Sequence, residues 1–146
     1  EMVKAAVLAA DNLSHWSSGL KVLGVTMLTT IDKKIMNGEL RIPGEVIEQV
    51  LHLTRLGRNN GIAGVVCSGL EAGAVRDIYG PEFFIATPGV RMANSKRGSH
   101  KRVVTPKEAI RNGSNLIVMG GGLLDGGPEM AKQVLVEIEE ALNRGR

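Results

Sequence analysis

The chain has 146 residues, enough for one domain around a single core. Hydrophobic residues make up 43%, but no apolar run reaches membrane-spanning length, so a transmembrane role is excluded and a soluble chain is expected. The net charge is +3 and only 3% of residues are aromatic, which leaves little to stack on bases and argues against a nucleic-acid surface.

The N-terminus lacks a basic segment followed by an apolar core and a cleavage site, so nothing marks it for secretion. Cys67 is the only cysteine and cannot form an internal disulfide, which suits a cytoplasmic location. The first residue is Glu1 rather than Met, consistent with a chain that lacks its natural beginning.

Taken in order, Glu1–Ala10 is an Ala-rich helical segment. The run "KVLGVTMLTT" (Lys21–Thr30) is β-branched and apolar and ends in hydroxyl residues, which predicts a strand. "DKK" after it reads as a charged turn, with Asp32 within reach of the strand end. Residues Gly44–Gly61 place Val46, Ile47, Val50, Leu51 and Leu53 on one side and Glu45, Glu48, Gln49 and His52 on the other, as an amphipathic helix does. "AGVVCSG" (Ala63–Gly69) is a short buried strand, and a short helix follows through "LEAGAVRDIYG". "EFFIATPG" (Glu82–Gly89) is a third strand.

That strand runs into a basic loop: Ala86–Pro106 holds five Lys/Arg and one His in 21 positions and no acid. "TPKE" (Thr105–Glu108) is a helix start in which Thr105 caps, Pro106 occupies the first turn and Glu108 closes a capping box. A fourth strand, "SNLIVMGGG" (Ser114–Gly122), precedes a last helix from Pro128 with Met130, Val134, Leu135, Ile138 and Leu142 on one face.

Continuous apolar strands separated by helices imply an α/β protein with a covered parallel sheet. The strands end in "TT", "CSG", "TPG" and "GGG", and parallel strands carry those ends to one rim, where such folds bind ligands. Periodicity alone admits either an open doubly wound sheet or part of a barrel.

The third and fourth strand ends hold the strongest signal. Glycines in "TPGVR" and "VMGGGLLDGG" let backbone approach an anion closely, and the basic loop adds charge. "GGGLLDGGP" is neither a dinucleotide fingerprint nor a Walker loop. Two tight turns beside a solvated basic loop would look similar. His15, His52 and His100 share no ligand spacing, so no metal site is expected. Cys67 reads as a core thiol and Trp16 as an anchor between surface and core. The rim is rich in binding groups and poor in acid–base pairs.

The segments "EMVKAAVLAA", "KVLGVTMLTTID", "GVVCSGLEAGAVRDIYGPEFFIATPGVR" and "KRVVTPKEAIRNGSNLIVMG" resemble orotidine 5′-phosphate decarboxylase, in order and over nearly the whole chain. The resemblance implies a (β/α)8 TIM barrel that converts orotidine 5′-phosphate to uridine 5′-phosphate and CO2 without metal or organic cofactor, in dimers with active sites at the interface. It matches the second half of that barrel only, making residues 1–146 a single half-barrel region of about four βα units. The family's catalytic Lys-Asp array lies in an earlier "D-x-K-x-x-D-I" segment, and this sequence contains none, so no catalytic residue is assigned to this chain.

What the resemblance carries over is ligand binding. Thr29 and Thr30 match the family's "L-T-S" near the pyrimidine, with Thr30 where Ser is usual. Arg91 matches a residue of the phosphate-side loop. His100 stands where the family has a ligand-contacting Gln, and Gly120 keeps a backbone donor. Gly121 replaces the arginine that grips phosphate, while Lys96, Arg97 and Lys101 are candidates to compensate. The implied partners are a nucleotide monophosphate and either a second copy of the chain or a complementing N-terminal half, with no nucleic acid and no membrane. A half-barrel kept as a binding or structural module, a related decarboxylase acting on a sugar phosphate, and a nucleic-acid binder using the basic loop are the rival readings.

Overall fold

The computed structural model describes residues 1–13, 19–93 and 101–143. Among the described residues ten elements follow in order: α1 (Met2–Asn12), β1 (Leu23–Val25), α2 (Lys33–Gly38), α3 (Val46–Arg58), β2 (Gly64–Val66), α4 (Gly69–Tyr79), β3 (Phe84–Pro88), α5 (Pro106–Arg111), β4 (Leu116–Val118) and α6 (Gly121–Asn143). All strand pairings are parallel and the spatial order is β1-β2-β3-β4.

That order decides between the two architectures the periodicity admits. A doubly wound sheet reverses its strand order at a switch point and so puts helices on both faces. Here each strand is laid beside the previous one with no reversal, and right-handed crossovers of that kind keep the helices on one side. The register shows it residue by residue. Val65, paired with Gly24 on one side and Ile85 on the other, is fully buried, as are Ile85 and, opposite Ile117, Thr87. Their neighbours on the other face line up as Val25, Val66, Ala86 and Leu116, then Pro88 and Val118. On that face Val25 is 62% exposed, Leu116 48% and Val118 49%. This is half of a (β/α)8 barrel, with the helices outside and the apolar lumen side open.

The core lies between sheet and helices. Met36, Val50, Val65, Ala72, Val75 and Ile85 are fully buried there, with Ile62 and Cys67 beside them. A smaller cluster of Val90, Val104 and Ala109 packs with Ile117 and Met119 under the second half of the chain. Gly64 has to be glycine, because a Cβ there would stand 2.0 Å from the Phe84 carbonyl oxygen of the adjoining strand. Arg76 ties the other end of the sheet, donating to the carbonyls of Gly80, Phe83 and Gly113 and to Asn115 Oδ1.

Three local readings change. "DKK" is no simple turn: Asp32 Oδ1 accepts from the Ile35 amide at 2.9 Å and caps α2. The strands are shorter than their apolar runs, because Met27–Thr30 leaves the ladder after Val25 to form the rim. The last helix buries Val134 and Ala141, whereas Leu135 and Leu142 face outward. Its kink at Gly127, with φ of 59°, lies just before Pro128, so the long helix does begin at that proline, after an extra helical stretch from Gly121. The α5 start matches its reading in full, with Thr105 and Glu108 in a reciprocal capping box and Pro106 in the first turn.

Candidate functional site

Two cavities sit side by side on the rim formed by the C-terminal strand ends, and Pro88 at the end of β3 lines both. The first, about 220 Å3, is walled by Gly89–Met92 on one side and Met119–Leu123 on the other. Gly89 has φ of 77°, a left-handed conformation that a side chain would resist, and this turn swings Arg91 toward the cavity. The Arg91 amide donates to the Val104 carbonyl at 3.0 Å, which holds the turn against the far limb of the basic loop. At Gly120 and Gly121 an added Cβ would meet nothing within 4 Å, so the wall opposite Arg91 is bare backbone.

The second cavity, about 240 Å3, is lined by Val25, Met27, Leu28, Thr29, Thr30, Val66, Cys67 and Pro88. It opens over the lumen side of the sheet. Thr29 is buried and Thr30 half-buried.

The structure therefore brings Arg91, Gly120 and Gly121 to one cavity and Thr29 and Thr30 to its neighbour. His100, Lys96, Arg97, His15 and Trp16 lie outside the described residues. Lys101 is engaged elsewhere: its Nζ is 2.9 Å from Asp32 Oδ2. The Ile35 amide and then Lys101 hold the Asp32 carboxyl below its usual range.

Cys67 is buried, and burial, aided by the nearby Glu71 carboxylate, pushes its thiol up to about 12. A thiol held neutral in this way packs as a small hydrophobe and does not act as a nucleophile.

Sequence reasoning missed the most buried charges among the described residues. Arg102 Nη1 and Glu71 Oε1 are 2.6 Å apart, with both side chains more than nine-tenths buried. Arg102 Nη2 also donates to the carbonyls of Met27 and Leu28 at 2.9 and 3.0 Å. Burial raises the Glu71 pKa even though Arg102 pulls it down. Arg102 closes a loop whose other cations suggest solvent, and Glu71 sits in an unremarked helical turn. The one signal the sequence offered was an acid two residues after the "CSG" strand end.

A family model described as orotidine 5′-phosphate decarboxylase / HUMPS family matches residues 1–133. Among curated relatives, the orotidine 5′-phosphate decarboxylase of Moorella thermoacetica is 46% identical over 68% of this chain and 39% of its own length. That of a Synechocystis species is 38% identical over 92% of this chain and 58% of its own. That of a Methylobacterium species is 39% identical over 97% and 59%. The crystal structure of orotidine 5′-phosphate decarboxylase from Lactobacillus acidophilus superposes with a TM-score of 0.72 at 28% identity, covering 94% of this chain and 58% of that one. The chain thus spans about half the length of the relatives it matches.

Proposed function

The chain belongs to the orotidine 5′-phosphate decarboxylase / HUMPS family, and we propose that it is the nucleotide-holding half of a decarboxylase barrel, unable to turn over substrate by itself. The family's orotidine 5′-phosphate decarboxylases, which the curated relatives are, act in pyrimidine biosynthesis, converting orotidine 5′-phosphate to uridine 5′-phosphate and CO2. The observation that carries the reading is the pair of adjoining cavities on one rim, a glycine-walled one beside Arg91 and a second beside Thr29 and Thr30.

A nucleoside monophosphate needs that division. Its dianionic end calls for a cation and close backbone approach, which Arg91, Gly120 and Gly121 offer. Its base calls for an apolar floor with a few hydroxyls, which Val25, Val66, Thr29 and Thr30 offer. His100, where the family has a ligand-contacting Gln, is a further candidate donor by resemblance. Without an arginine at position 121 the phosphate is held by fewer directional contacts.

Decarboxylation leaves charge on the ring carbon, and electrostatic groups must meet it there. The sequence has no "D-x-K-x-x-D" segment to do so. A further four strands complete the site, supplied by a preceding half or by a second copy related by a two-fold axis. Their arrival covers the exposed lumen side at Val25, Leu116 and Val118 and the outer edges of β1 and β4.

The test is titration of the purified chain with uridine 5′-phosphate, paired with an assay for CO2 release from orotidine 5′-phosphate. Binding without turnover is expected. Turnover above background contradicts the division of labour, and a folded chain that binds no nucleotide would be a structural module only.

A further inference from the structure

The geometry points to Arg102, held by Glu71, as a positioning residue that locks the turn carrying Thr29 and Thr30 to the strand-end segment carrying Arg91, so that the two ends of one nucleotide are gripped at a fixed spacing. This rests on the nucleotide-binding reading above.

The two cavities have separate walls, and little but Pro88 joins them directly. Beyond the β1-β2-β3 ladder beneath them, what ties one to the other is the segment from Lys101 to Val104. At one end, the amides of Lys101 and Arg102 both donate to the Thr29 carbonyl, at 3.1 and 3.2 Å. The Arg102 guanidinium passes under the same turn and donates to the two preceding carbonyls, Met27 and Leu28. At the other end, two residues on, the Val104 carbonyl accepts from the Arg91 amide, and Val90 and Val104 form a parallel bridge. The Arg102 carbonyl in turn accepts from Ser68 Oγ at 3.3 Å, anchoring the segment to the end of β2. A short run of backbone therefore joins Thr29 to Arg91.

Arg102 is the member of that run whose placement is enforced. Its planar fork spans Glu71 on one side and two carbonyls on the other, which a lysine cannot do at once. Stability alone does not explain the choice. Buried ion pairs often contribute no more than an apolar replacement, and here Glu71 Oε2 and Arg102 Nε are buried without a hydrogen-bond partner among the described residues. A device that specifies geometry accounts for a pair that is charged, deep and incompletely satisfied.

The experiment compares the wild-type chain with Arg102→Met, Arg102→Lys and Glu71→Gln. Affinities are measured for uridine, inorganic phosphate and uridine 5′-phosphate, and amide hydrogen exchange is followed in the absence of ligand. Positioning predicts that Arg102→Met changes uridine and phosphate affinities by less than about twofold. Uridine 5′-phosphate, which must engage both ends at once, weakens tenfold or more. Arg102→Lys should recover only part of the loss and Glu71→Gln should fall between.

Exchange at Ile31, Lys101 and Arg102 or its replacement, whose amides bond Leu28 and Thr29 carbonyls, should accelerate together while Cys67, bonded to Ala86 within the sheet, stays protected. Parallel loss for all three probes, or an unchanged uridine 5′-phosphate affinity, overturns the proposal. If Arg102→Met does not fold, Glu71→Gln carries both readouts. A wild-type chain that binds none of the three probes refutes the nucleotide reading. The exchange result then decides the lock alone: joint release of Ile31 and Lys101 sustains it and independent release overturns it.

Discussion

Placing an arginine at position 121 should tighten nucleotide binding if the proposed phosphate position is right, by an amount set by a charged hydrogen bond on an exposed wall. Gly121 begins α6 on the cavity wall facing Arg91, its backbone has no left-handed φ, and a Cβ built there touches nothing within 4 Å. Gly121→Arg therefore adds a guanidinium at little steric cost. A hydrogen bond to a charged group contributes about 1.5–3 kcal/mol net. Position 121 is exposed, so screening and side-chain ordering favour the lower end. About 1.5 kcal/mol corresponds to roughly a tenfold lower Kd. Isothermal titration of wild type and Gly121→Arg with uridine 5′-phosphate measures it directly, with uridine as the control that lacks the anion. A tenfold gain for the nucleotide and none for the nucleoside is expected. An unchanged nucleotide affinity in a folded variant, or an equal gain for uridine, would refute the placement of the phosphate.

Arg91→Ala should weaken uridine 5′-phosphate about tenfold without altering uridine binding, read in the same titration. Cys67 should resist alkylation at pH 8 until the chain is denatured. Its folded pKa lies above the unfolded 9.0, so its contribution to stability is constant below pH 9 and declines as pH rises toward 12. Asp32 has the opposite sign. Its folded pKa is depressed below 3.8, so its contribution is present above that pH and is lost on further acidification, and Asp32→Asn should flatten that limb of a pH–stability curve. Ile85→Ala, which empties a fully buried site at the centre of the sheet, should cost about 2–5 kcal/mol in denaturant unfolding.

Much of the fold was legible because it depends on local chemistry. The capping box at Thr105 and Glu108 involves residues three apart, and the apolar runs at Ala63–Gly69 and Glu82–Gly89 contain β2 and β3. The choice between barrel and doubly wound sheet was not legible from periodicity, because it lies in strand order, which β-branched runs do not encode. The family resemblance supplied it instead, and the unreversed order with its exposed Val25, Leu116 and Val118 bears it out. At the rim, glycines marked the first cavity, Gly89 through its left-handed turn and Gly120 and Gly121 through a wall of bare backbone. Asp32 read as a plain turn because a cap on a six-residue helix leaves little periodicity to notice. Arg102 was hidden in a run of cations that reads as a solvated loop, and its partner Glu71 lies 31 positions away, a pairing that only the folded chain creates.

The most direct measurement is a uridine 5′-phosphate titration of the isotope-labelled chain followed through its backbone amide resonances. Nucleotide held across the two cavities should shift Arg91, Gly120, Gly121 and Thr30 along one saturation curve, while amides on the outer helices, such as His52 in α3, stay still. Saturable shifts confined to surfaces away from those strand ends, or no shifts at millimolar nucleotide from a folded chain, would contradict it.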